Sequence, residues 1–113
     1  MKSTPEEFVK RSLKGYQVGL VGAYAAVDGL LSSLILTDSI NEALAVCGCL
    51  PTEILAEVFK YLRDIREGGY LYRPVLIGAT ERLPDSAWQA RWKRLDDLIT
   101  GNSEFQARLS KPQ

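Results

Sequence analysis

Between Gly15 and Thr37 the chain runs for 23 residues with a single charge, Asp28. On a helical wheel the apolar residues of this stretch go all the way round, so it needs cover on every side. Small residues recur through it at Gly15, Gly19, Gly22, Ala23, Ala25, Ala26 and Gly29. The spacing Gly15-x-x-x-Gly19 allows two helix backbones to approach closely.

Three structures compete for the stretch. A membrane span would gain about 3–5 kcal/mol from the Leu, Ile and Val residues, and Asp28 would cancel about 2.5–3.5 of that. Gln17, Ser32, Ser33 and the glycines remove the rest, so a membrane location is not expected. A buried strand over residues 16–21, turning at Gly22 into a helix, is the second structure. Its Gly19-x-x-Gly22 spacing matches neither the dinucleotide fingerprint nor the phosphate-binding loop. The third is a continuous or kinked helix buried in a bundle, with a second copy or a partner covering what the chain cannot. This is the expected form.

The remaining helices carry clearer signals. Thr4, Pro5 and Glu7 form a Thr-x-x-Glu start for a first helix whose apolar face is Phe8, Val9 and Leu13. Ser39-x-x-Glu42 suggests a second capping box, opening a short helix from Ile40 to about Cys47. From Pro51 or Thr52 to Glu67, Ile54, Leu55, Val58, Phe59, Leu62 and Ile65 repeat at three- and four-residue steps, and Gly68-Gly69 ends the helix. A fourth helix begins near Asp85 and runs to about Thr100, with Trp88, Trp92, Leu95 and Ile99 on one stripe. Aromatic and branched residues from Tyr70 to Ile77 predict a small β ribbon near residues 70–79, confined by Pro74 to a sheet edge. The expected fold is therefore mainly α, about four helices around a long apolar N-terminal helix, in a single domain over residues 1–113 whose tail frays from about residue 103. The alternative is a small α/β domain with residues 16–21 and 74–79 as neighbouring parallel strands.

Composition limits the chemistry. The 113 residues include 14 basic and 14 acidic side chains and no histidine. No global field attracts nucleic acid or anionic lipid, and the commonest general base and metal ligand are both missing. The N-terminal residues carry no apolar leader, so a cytoplasmic location with Cys47 and Cys49 as free thiols is expected. Cys-Gly-Cys is neither the redox spacing nor a complete zinc set; no metal and no cofactor is expected.

Several residues nonetheless stand out. Asp28, inside an apolar helix, is a candidate perturbed acid unless it faces solvent, caps a broken helix or pairs with an arginine. Helix, tight turn, longer helix and ribbon over residues 39–77 have a winged-helix layout, in which Lys60, Arg63, Arg66 and Arg73 would meet phosphates. Thr52, Glu53 and Glu57 in the first turn of its second helix would oppose that contact. Trp88 and Trp92 beside Arg91, Lys93 and Arg94 read as core tryptophans under a solvated face rather than a stacking platform. Tyr16, Leu20, Tyr24, Val27, Tyr70 and Tyr72 are the interface candidates. The expected function is a non-enzymatic interaction protein, an adaptor, chaperone or assembly subunit, that self-associates or binds a protein partner. A nucleic-acid binder is the alternative, and a small enzyme using Asp28 or Cys47/Cys49 is the third reading.

Overall fold

The computed structural model describes residues 4–74 and 83–111, and among them the chain is mainly helical, with no strand. Helix α1 (Pro5–Ser12) begins as its sequence implies: Thr4 Oγ1 accepts the Glu7 N–H at 3.2 Å, and Pro5 holds the first position. Val9 and Leu13 turn into the core.

The long apolar helix does not form. Its first part is a single turn, α2 (Lys14–Gln17), followed by a tight reversal in which the Leu20 N–H returns to the Gly15 carbonyl at 2.8 Å. Gly19 has φ +78°, a left-handed value that a side chain would disfavour. Gly22 is extended and caps α3 (Ala23–Leu36). Three glycines in eight residues each cost a helix about 1 kcal/mol, and here that cost outweighs the continuity of the apolar pattern. The same residues are not strand, so the parallel-sheet alternative fails at residues 16–21. Nor are they buried: Leu20 is 81% exposed.

Only α3 behaves as the buried helix expected of the whole stretch. Val27, Leu30, Leu31 and Ile35 are inaccessible to solvent, with Ala26 and Leu34 nearly so. At 14 residues it spans roughly 21 Å, below the roughly 30 Å of a hydrocarbon layer. Among the described residues no helix is long and apolar enough to cross a membrane.

After α3 the chain makes a 3-10 turn (Ile40–Glu42) and enters α4 (Ala43–Gly48). Ser39 does not cap this helix with its side chain: its hydroxyl shares a 2.8 Å hydrogen bond with Thr37 Oγ1, and the Glu42 N–H goes to the Ser39 carbonyl. Helix α5 (Thr52–Glu67) has the expected bounds and buries Ile54, Leu55, Val58, Tyr61, Leu62 and Ile65.

The ribbon expected near residues 70–79 is absent from its described part, residues 70–74; the rest lies outside the described residues. Gly69 (φ +74°) and Tyr70 (φ +61°) turn the chain sharply, and the Tyr70 N–H returns to the Ile65 carbonyl at 2.9 Å. The Tyr72 carbonyl accepts from Trp92 Nε1 at 2.7 Å. Turn and side-chain bonds here replace strand pairing.

Helix α6 (Asp85–Thr100) buries Trp88, Trp92, Leu95 and Ile99 along the predicted stripe. Its end is sterically fixed, since a Cβ on Gly101 would lie 2.6 Å from the Asp97 carbonyl oxygen. Past Asn102 the chain is helical as far as Ser110. Asn102 Oδ1 caps α7 (Ser103–Ser110) at the Phe105 N–H, Phe105 is buried, and Arg108 donates to the Leu50 carbonyl at 2.7 Å. Helix α3 packs mainly on α5, which also carries α6 and α7, while α4 bridges α1 and α6. One apolar cluster runs from Val9 to Phe105 through all of them except α2.

Candidate functional site: an apolar and tyrosine edge

The breakdown of the long helix puts apolar side chains in water. Val18 (60% exposed), Leu20 and Val21 (43%) lie on the turn before α3, and Tyr24 (39%) on its first turn. Leu71 (56%) and Tyr72 (40%) follow the end of α5. Among the described residues Leu44 is the only other large apolar side chain so exposed.

Tyr61 joins the two segments. It is buried, and its ring meets Tyr24 edge-on at 5.4 Å and Tyr72 at 6.5 Å, with the Trp92 ring behind at 6.0 Å. Tyr24 and Tyr72 are thus the exposed shoulders of one aromatic row anchored in the core. Polar bonds fix the row from below. Asp28 Oδ1 accepts from Tyr61 at 2.6 Å and from Ser32, one helical turn on, at 3.3 Å. Asp64 Oδ2 accepts from Tyr24 at 2.8 Å, tying the start of α3 to the last turns of α5.

These contacts settle the place of Asp28. Half-buried and inside α3 rather than at a break, it accepts from the hydroxyls of Tyr61 and Ser32, and among the described residues it pairs with no arginine. The tyrosines stay protonated. Burial, the Asp64 hydrogen bond and the charges of Asp64, Asp28 and Glu57 push the Tyr24 hydroxyl up to about 12. Burial and the Asp28 bond raise Tyr61 further, against a smaller opposing effect of Ser32, and Tyr72 rises for the same two reasons. A row of neutral phenols and apolar tips is suited to contact rather than to proton transfer.

The other interface candidates divide. Tyr16 is half-buried against the core, and Val27 is fully buried in α3 and therefore excluded from any surface. Tyr70 is half-buried and points its hydroxyl inward, to Asp96 at 2.7 Å.

Of the nucleic-acid candidates, Lys60, Arg63 and Arg66 line one shallow depression of about 440 Å³ with Phe59 and Thr100. Among the described residues three of these four side chains already lie against carboxylates. Arg66 grips Asp96 through Nε (2.9 Å) and Nη2 (3.0 Å), Arg63 Nε lies 3.9 Å from Asp64 Oδ1, and Arg73 pairs with Asp85. The basic side of α6 is also engaged: Arg91 caps α3 at the Ile35 carbonyl (2.7 Å) and Arg94 donates to Asn41. Trp92 is inaccessible and Trp88 nearly so, so they form core and no stacking platform.

The thiols do not pair. Cys47 is buried, which pushes its thiol up to about 12 despite the opposing charge of Arg108; Cys49 is exposed just past α4. A thiol so far from ionisation is a poor nucleophile. Among the described residues no group of three or more His, Cys, Asp or Glu could hold a metal ion.

The Asp96 cluster was missed by sequence reasoning. Its signal was positional: Asp96 lies four residues after Trp92, on the edge of the buried stripe. Comparisons with protein-family models, with curated proteins and with solved structures return no match.

Proposed function

We propose that this chain is a non-enzymatic interaction protein that self-associates through the edge formed by Val18, Leu20, Val21, Tyr24, Leu71 and Tyr72. One observation carries the reading: nearly all the exposed large apolar side chains among the described residues fall in two short segments, joined through the buried ring of Tyr61. Scattered single exposures are ordinary, but clustered ones in a monomer mark a contact surface. Aromatic shoulders with protonated hydroxyls suit such a surface, because they lose little side-chain entropy on binding.

Leu20→Asp tests the reading at little risk to the fold, since the side chain is mostly in water and such changes usually cost within about 0.5 kcal/mol. Light scattering should show the wild-type chain associating in the micromolar range, with the variant weakened about tenfold or more. A wild-type chain that stays monomeric throughout that range defeats the proposal.

A second reading, nucleic-acid binding, is favoured by the meeting of Lys60, Arg63 and Arg66 beside Phe59. It requires duplex or single-stranded DNA to bind, more weakly as salt rises, and to be lost in Lys60→Glu/Arg63→Glu. Binding unchanged in that double variant rules the surface out.

A further inference from the structure

We infer that the cleft between α1, the end of α3 and α4 binds a free amino acid with an apolar side chain, held by both of its charged ends. The volume of the cleft, about 380 Å³, falls within the range of small-ligand sites and equals that of about a dozen waters. None of its lining belongs to the interaction edge, so the inference is independent of the self-association reading. The floor is apolar. Phe8 of α1 is half-buried, and Leu34 of α3 and Val46 of α4 reach the cleft from the core. Ala45, beside Val46, contributes only a methyl group.

A count of protons gives the polar end its character. Thr37 Oγ1 donates to the Ser33 carbonyl at 2.7 Å, so the proton in its 2.8 Å bond with Ser39 Oγ comes from Ser39. The longer contact of Ser39 with the Thr37 carbonyl, 3.4 Å, would use that same proton. Each hydroxyl has one proton, and both are committed within the fold, so the pair offers a ligand only lone pairs. The Ser33 hydroxyl, also in the lining, can turn either way. Two side chains of opposite charge complete the cleft: Glu42, and Arg11 with its guanidinium carbon 5.9 Å from the centre of the Phe8 ring. Both have partners within the fold, but a carboxylate has about four acceptor sites and a guanidinium five donors, so each can serve a second group.

A cation, an anion, an acceptor pair and an apolar floor together complement a zwitterion. Its ammonium goes to Ser39, Thr37 and Glu42, its carboxylate to Arg11, and its side chain onto Phe8, Leu34 and Val46. An amine without a carboxylate would set Arg11 against a cation. An acid without an amine would set Glu42 and the hydroxyl lone pairs against an anion.

Isothermal titration calorimetry of the full chain with L-leucine and L-phenylalanine tests this. The probes 3-methylbutylamine and 4-methylpentanoate each lack one charged end of leucine. At least one amino acid should bind saturably and raise the thermal midpoint, with both fragments at least about tenfold weaker than leucine. Ala45→Trp, at an exposed position of α4, should fill the cleft and abolish binding with the circular dichroism spectrum unchanged. Arg11→Gln, exposed on α1, should weaken the amino acid about tenfold and leave 3-methylbutylamine no weaker, and it decides the matter if the tryptophan disturbs the fold. Absence of saturable binding by both amino acids up to about 10 mM overturns the inference. So does binding undiminished in a folded Ala45→Trp chain or in Arg11→Gln, or a fragment that binds as well as leucine.

Discussion

Replacing Trp92 with alanine should lower stability by about 4–5 kcal/mol, the upper range for emptying a core aromatic site, and the thermal midpoint by roughly 15–20 °C. The side chain has no contact with solvent and packs against Tyr61 and Tyr72, each at 6.0 Å between ring centres. Its Nε1 also holds the Tyr72 carbonyl at 2.7 Å, just after the sharp turn at Gly69 and Tyr70. Domains of this size are stable by about 5–15 kcal/mol, so the variant stands near the threshold of folding. Trp92→Phe separates the two roles. It keeps most of the ring packing and loses the hydrogen bond, so about 1–2 kcal/mol should go, with the change felt at Tyr72. Thermal unfolding followed by circular dichroism measures both. A Trp92→Ala chain within about 1 kcal/mol of wild type would mean that the aromatic row is not anchored in the core as described.

Much of this architecture is legible in the residues themselves. The Thr4–Glu7 start, the bounds of α5 and the Trp88–Ile99 stripe follow from capping chemistry and a three-to-four-residue period, both of them local. The errors fall where a local pattern met a stronger local preference. Apolar continuity from Gly15 to Thr37 predicts one helix, yet three glycines divide it and Gly19 takes a conformation that favours glycine. Aromatic and branched residues after Tyr70 predict strand, yet Trp92 of α6 takes the Tyr72 carbonyl and the Tyr70 hydroxyl donates to Asp96, both through long-range bonds. No periodicity encodes such bonds.

The candidate site was half legible for the same reason. Leu20, Tyr24 and Tyr72 were expected at an interface and are exposed together, while Val27 shares their composition and is buried. On α3, Tyr24 and Val27 are three residues apart, and only the position of α5 decides which of them faces out. Asp28 was visible as an isolated charge, but its partners, Tyr61 and Ser32, were not: Tyr61 comes 33 residues later. Two sequence-distant groups meet only through the packing of α3 on α5.

Asp96→Ala should cost about 2–3 kcal/mol, less than the roughly 3–5 seen when a fully buried ion pair is broken, because its partner is half in water. The Asp96 side chain is 3% exposed and accepts from Arg66 at 2.9 and 3.0 Å, from Tyr70 at 2.7 Å and from its own helix's Thr100 at 3.1 Å. Removing it lets the Arg66 guanidinium turn to solvent but frees Tyr70, whose backbone is held left-handed. Burial alone would raise the Asp96 carboxyl; the bonds from Arg66 and Tyr70, the Arg66 charge and the Thr100 bond together overcome it and hold the group below the usual carboxylate range. The folded chain therefore takes up this proton less readily than the unfolded one. The stability it contributes is complete above the unfolded carboxyl value of about 4 and is lost as pH falls through the lower, folded value. The gap in unfolding free energy between wild type and Asp96→Ala should be constant near neutrality and shrink below about pH 4. Urea titrations at several pH values measure it, and a gap that widens on acidification would show that Asp96 is not held as an ionised carboxylate between α5 and α6.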